Sequence, residues 1–330
     1  MKERVYWIDA TKGILALFVV LGHAIVWSGI SLHSEIFQFI YFYVSTFHMA
    51  AFFAVSGYVC GRIKRKSGSM EKSERPDCIA IFRRTANLIV PTIIAMGFTF
   101  CMVAFLGKFS IRQAISVSLF WFMWVISAIN VIHPYLHFWI KSQKNLLVIL
   151  AGLTLLFGIL INDVGKFFGY FFLYELGCFL GSKLTPETEK DFFRLSWGTV
   201  ACVSSSIVIF VGYVLGGGTL VLNALYKIPI GVVMSYSICS IVINSYTPKY
   251  FALAGRFTLQ IYLFQFMSVA WIKPYTSCFP VWLNSTIFVI VICFCYFIPV
   301  YLANKYENTR VYKIIFQAGE TLSTNFLIKI

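Results

Sequence analysis

The chain has 330 residues, of which 59% are hydrophobic and only 12% charged, against about 45–50% apolar and about 25% charged in soluble domains. That excess is too large for one buried core and excludes a soluble globular enzyme. The formal net charge of +14 does not point to nucleic acid, because Lys and Arg collect in the cytoplasmic loops of membrane proteins.

Apolar stretches of about 20 residues, the length a bilayer-spanning helix needs, recur along almost the whole chain. They predict spans at about 8–28, 36–60, 86–106, 118–140, 145–161, 167–183, 196–215, 219–245, 251–272 and 279–303. The reading is an all-α, polytopic integral membrane protein of about ten transmembrane helices, with a single membrane-embedded domain over 1–330. Its soluble parts are a cytoplasmic loop at about 61–85 and a short cytoplasmic tail at about 304–330. The apolar stretch Ile14–Trp27 has the look of a signal peptide, but Asp9 and Lys12 interrupt its entry, so it is expected to stay as the first span.

With the N-terminus in the cytoplasm, 21 of the 27 basic residues fall on inner segments. These include Lys2, Arg4, eight between Arg62 and Arg84, and Lys305, Arg310, Lys313 and Lys329. Outer loops hold 4, namely Lys108, Arg112, Lys166 and Lys273, while Lys12 and Lys227 lie within spans. The bias places both termini inside. No loop is long enough to hold an active site, so chemistry is expected within the helix bundle or at its edges.

In the first span, "WIDATKGILALFVVLGHAIVW", Lys12 and His23 are eleven residues apart. At 100° per residue this is about three turns plus roughly 20°, so the two share one face, about 16 Å apart along the axis. Asp9 precedes Lys12 by three and can pair with it, and Gly13 and Gly22 allow a close neighbour. In the second span, "FHMAAFFAVSGYVCGRIKRK", His48 is followed by Ser56, Gly57 and Tyr58 and then by a basic anchor. Ser56-Gly57 reads first as a packing site between helices. A His in each of two consecutive spans supplies a general base suited to neutral pH. Charged groups at mid-bilayer cost roughly 2.5–3.5 kcal/mol, which makes each of them a candidate for function.

At the mouth of the third span, Arg83 and Arg84 suit phosphate oxygens as well as anchoring. His133 and His137, one turn apart in an aromatic segment broken by Pro134, read as interfacial. Glu175 sits mid-span, either protonated or paired with Lys227 or a histidine. Lys227 adjoins Pro229, where a helix break would open a pocket. The nine cysteines form no CxxC pair and read as small hydrophobes, and no metal set is visible. Neither a GxSxG elbow nor a Gly-rich phosphate loop appears.

Asp9, Lys12-Gly13 and "ILALFVVLGH" to His23, with "FHMAAFFAVSGY", Arg83-Arg84 before Pro91, "LFWFMWVISAI" and "LAGRFTLQIYLFQ", resemble the membrane-bound acyltransferase-3 family. Within it, the chain looks like the branch of fucose 4-O-acetylase-like sugar acetyltransferases. The chain departs from the family in having Lys12 where Arg is commonest, Ala50 where the branch often has Pro, and Gln265 in place of a late His. No general-base role is therefore placed at Gln265. The large periplasmic esterase-like domain of some members has no counterpart here, so chemistry is expected in the membrane domain.

The resemblance implies transfer of an acyl group, first of all acetyl, from cytoplasmic acetyl-CoA or another acyl-CoA to a hydroxyl of a sugar. The acceptor would be a glycan, a surface polysaccharide, lipopolysaccharide or lipid-linked sugar, at the bacterial inner membrane. His23 or His48 takes the acceptor's proton, and Arg83, Arg84 and Lys12 hold the CoA phosphates. Ser56 and Tyr58 are the candidate oxyanion donors, with Asp9 and Glu175 in support. Direct transfer and an acyl-enzyme both stand open. The expected partners are the acyl donor, the glycan and membrane lipids, without nucleic acid or metal. The alternative is a transporter of a lipid-linked sugar or small anion, which intramembrane His, Lys and Glu would also fit.

Overall fold

The computed structural model describes residues 5–67, 76–105, 120–216, 223–268, 276 and 278–326. Of the basic residues counted above, Lys2, Arg4, Lys72, Arg75, Lys108, Arg112, Lys273 and Lys329 lie outside the described residues, as does the middle of the 61–85 loop. The described chain is all-helical, with fourteen α-helices and one 3-10 turn. They are α1 Tyr6–Trp27, the turn Ile30–Leu32, α2 Glu35–Ser67, α3 Cys78–Phe105, α4 Trp121–Trp139, α5 Gln143–Leu160, α6 Asn162–Lys183 and α7 Pro186–Phe192. There follow α8 Leu195–Gly216, α9 Ala224–Asn244, α10 Lys249–Arg256, α11 Thr258–Ser268, α12 Val281–Tyr306, α13 Arg310–Phe316 and α14 Ala318–Phe326.

Among the described helices, seven are long and apolar enough to cross a membrane: α1, α2, α3, α5, α8, α9 and α12. The other three expected spans fall on α4, α6 and α11. Asp163, Lys166, Glu175 and Lys183 make α6 too polar, and only eleven residues of α11 are described. At about 1.5 Å per residue the 33 residues of α2 outrun a hydrocarbon core of about 30 Å. The helix thus continues through Arg62, Lys64, Arg65 and Lys66 instead of ending at an exposed loop.

The described residues cluster into two compact units. The first lies within Met1–Gly22, Ser34–Ser73 and Ile140–Arg256, and the second within His23–His33, Glu74–Trp139 and Phe257–Ile330.

In the first unit α2 packs on α6, α8 and α9, and α5 on α6. The α2–α6 contact has a simple sequence cause. Gly57 and Gly61 on α2, and Gly177 and Gly181 on α6, are two G-x-x-x-G pairs, which let helix backbones approach closely in lipid. A Cβ on Gly57 would collide with the Tyr174 carbonyl, on Gly61 with that of Cys178, and on Gly177 with that of Ala54. Gly13 does the same for α1 against α10, where a Cβ would strike the Phe251 carbonyl. Gly22 is different, since a Cβ there would sit 3.9 Å from Val44, in ordinary contact. The helix break expected at Pro229 does not occur. Asn223 caps α9 through Leu225 N, 2.8 Å away, and the helix runs on through the proline.

In the second unit α3 packs on α4, α11, α13 and α14, and α11 packs on α12. The end of α1 enters this unit and is stopped by Gly29, whose φ of 71° is the left-handed conformation that favours glycine. Within the tail expected at about 304–330, the described residues beyond Tyr306 are largely helical. They fold as α13 and α14 and dock on α3, with Gly319 N donating to Asn87 Oδ1 at 2.7 Å and Asn87 Nδ2 to Glu320 Oε2 at 2.9 Å.

Candidate functional site

α1 runs from Tyr6 to Trp27 and carries both Lys12 and His23. Lys12 and Asp9 are half-buried in the first unit, and His23 is half-buried in the second. His23 Nδ1 lies 3.1 Å from Gln265 Oε1. An amide oxygen only accepts, so this contact calls for the Nδ1–H form and makes Nε2 the nitrogen that can take a proton. Trp27, one turn further along α1, stacks on the imidazole at 4.7 Å between centroids and 8° between planes. Phe266 meets the same ring edge-on at 5.1 Å. The imidazole is thereby fixed in both tautomer and tilt.

Gln265 was set aside by the sequence reading, which found only that it was not histidine. It is fully buried, and its Nε2 has no hydrogen-bond partner among the described residues. Trp124 Nε1, Ser127 Oγ and Asn284 Oδ1, all in the second unit, share that condition. Unpaired buried polar atoms are uncommon in folded proteins and are a known mark of binding and catalytic regions. The available sequence clue was an amide in the otherwise apolar run "IYLFQFM".

In the first unit His48 is buried, and its Nδ1 donates to the Val44 carbonyl one turn back on α2 at 2.6 Å. Its tautomer is set by its own helix, whereas that of His23 is set by a distant side chain. Ser56 is half-buried and Glu175 fully buried.

Tyr58 belongs to a polar cluster around Glu189. Its hydroxyl donates to Glu189 Oε1 at 2.7 Å, Arg62 Nη1 pairs with the same oxygen, and Trp7 Nε1 donates to Oε2 at 3.2 Å. A tyrosine has one O–H to donate, so this one ties α2 to α7 and is not available for an oxyanion. Glu189 is presented by α7, a short helix started by a capping box between Thr185 and Thr188. A hydrogen bond with Thr185 holds the Glu187 carboxyl in its first turn below the usual carboxylate range.

Arg83 and Arg84 are exposed near the start of α3, and Arg83 Nε donates to Ser323 Oγ on α14 at 2.7 Å. His133 and His137 have ring centroids 4.5 Å apart. His133 is buried, 2% exposed, and His137 half-buried.

The sequence of residues 5–304 matches the model of the acyltransferase-3 family, described as an acyltransferase domain. The chain belongs to the acyltransferase-3 family. With its membrane-crossing helices it is a multi-pass membrane acyltransferase, and the family match favours acyl transfer over the transporter alternative. No curated protein and no solved structure matches it.

Proposed function

We propose that the protein is an O-acyltransferase that moves an acyl group, acetyl in the first instance, from cytoplasmic acyl-CoA to a sugar hydroxyl. The acceptor is a surface polysaccharide, lipopolysaccharide or lipid-linked glycan, and the setting is a bacterial inner membrane crossed about ten times, with both termini in the cytoplasm. The basic-residue bias and the resemblance to sugar acetyltransferases support this reading. The observation that carries the chemistry is the His23–Gln265 pair.

His23 Nε2 takes the acceptor's proton as the hydroxyl oxygen attacks the thioester carbon. The new C–O bond forms, the C–S bond breaks, and the leaving thiolate takes the proton back from the imidazolium. General-base help of this kind is worth about 10²–10⁴-fold. Gln265 Nε2, buried and without a hydrogen-bond partner among the described residues, is suited to donate to the carbonyl oxygen as it gains charge. One such donor is worth about 10²–10³-fold. Half-exposure favours His23 over the buried His48 as the base, because a base has to reach its substrate. Lys12, Arg83 and Arg84 hold the donor's phosphates, with Lys12 acting as a point charge without the guanidinium fork. Asp9, Ser56 and Glu175 remain as supporting groups.

The test is O-acetyl analysis of surface glycans from cells with and without the protein. Loss of one O-acetyl group that returns on complementation supports the reading, and unchanged acetylation refutes it.

A further inference from the structure

α11 has two faces. Tyr262, Gln265 and Phe266 lie on the side of His23, Phe120 and the α4 residue Phe122. Gln260, Leu263, Phe264 and Met267, at i, i+3, i+4 and i+7, form a second stripe. Together with α3, α12 and α13 that stripe lines a cavity of about 520 Å³, all within the second unit. Its size falls in the ligand-pocket range of about 300–1,000 Å³. The rings of Pro91 and Pro299, both inside helices, add to a lining that is almost wholly apolar.

Three polar residues of the lining, Gln260, Tyr312 and Thr309, are engaged in hydrogen bonds. Gln260 Nε2 donates to Tyr312 Oη at 2.6 Å, and Thr309 Oγ1 donates to the Tyr306 carbonyl at 2.7 Å. An occupant therefore meets hydrocarbon along most of the cavity and polar groups only toward the α12–α13 turn. Tyr306 is the last residue of α12, a helix long and apolar enough to cross a membrane. Lys305, Arg310 and Lys313 flank this turn, all exposed, with Glu307 as the acid among them. Basic residues at the end of a span stand at headgroup depth, where they attract anionic lipid.

We propose that this cavity holds an acyl chain of an anionic phospholipid, with the lipid phosphate against Lys305, Arg310 and Lys313. Each basic residue near an anionic headgroup is worth about fivefold in affinity. Three cations against one acid then give a preference of about tenfold or more over a zwitterionic lipid of the same chains.

The experiment uses the full-length protein in detergent and a phosphatidylglycerol with a diazirine near the end of one acyl chain. Irradiation should label Leu263, Met267 or their neighbours in the lining, about tenfold more than the matched phosphatidylcholine probe. Replacing Lys305, Arg310 and Lys313, all exposed, together by Gln should remove the preference. Equal labelling by both probes in the unaltered protein would leave a neutral groove and overturn the proposal. So would labelling confined to segments outside the lining, or displacement of the probe by free fatty acid as readily as by phosphatidylglycerol. None of these readouts depends on acyl transfer.

Discussion

His23 on α1 and Gln265 on α11, 242 residues apart in sequence, meet through Nδ1 and Oε1 at 3.1 Å. This contact gives the imidazole one tautomer and leaves the other amide atom of Gln265 buried and, among the described residues, without a hydrogen-bond partner. Replacing Gln265 by Leu keeps the volume and removes both interactions. We expect kcat to fall about 10²–10³-fold with the KM for the acyl donor unchanged, the pattern of an interaction made only in the transition state. Gln265→His, which keeps a donor and an acceptor, should retain more activity than Gln265→Leu. Steady-state kinetics on the three proteins decides this, and a change confined to KM would make Gln265 a binding residue only.

Lys12 is the basic residue of α1. If it holds the donor, Lys12→Ala should raise the KM for acyl-CoA and Lys12→Arg should retain activity, because the charge is kept. An unchanged KM in the alanine variant would return Lys12 to membrane anchoring.

The α2–α6 contact predicts a contrast among glycines. Gly57→Ala and Gly177→Ala drive a methyl group into a facing carbonyl and should destabilise by about 1–3 kcal/mol. Gly22→Ala adds a methyl group in ordinary contact and should leave thermal stability in detergent unchanged. Equal melting of all three variants would show that the backbones are not in close contact.

Glu189 and Arg62 form a buried pair, with side chains 5% and 11% exposed. Glu189→Ala leaves a buried guanidinium without its carboxylate and should cost about 3–5 kcal/mol. Adding Arg62→Met should recover much of the loss, since an apolar replacement of both partners is often neutral. A thermal double-mutant cycle measures this, and simple additivity would dissolve the pair.

What was legible in the sequence follows from the range of the interactions involved. The long apolar helices and the Ser56-Gly57 packing site could be read because hydropathy and glycine spacing are local. The span expected on α6 was harder to read because Asp163, Lys166, Glu175 and Lys183 dilute its hydropathy. Glu189 was not singled out in the sequence, because its partners Arg62 and Trp7 are 127 and 182 residues away. His23 was visible as an intramembrane imidazole, but Gln265 was not visible as its partner, because no local pattern joins an amide to a histidine on another helix. The docking of the tail on α3 was not legible, because its contacts with Asn87 and Arg83 are equally remote.

The most direct measurement is release of CoA thiol by the purified full-length protein given acetyl-CoA and an acceptor glycan, with His23→Ala alongside. The unaltered protein should release thiol only when acceptor is present, and the variant, equally folded, should be slower by about 10²–10⁴-fold. Equal release by the two proteins would contradict the assignment of His23 as the base.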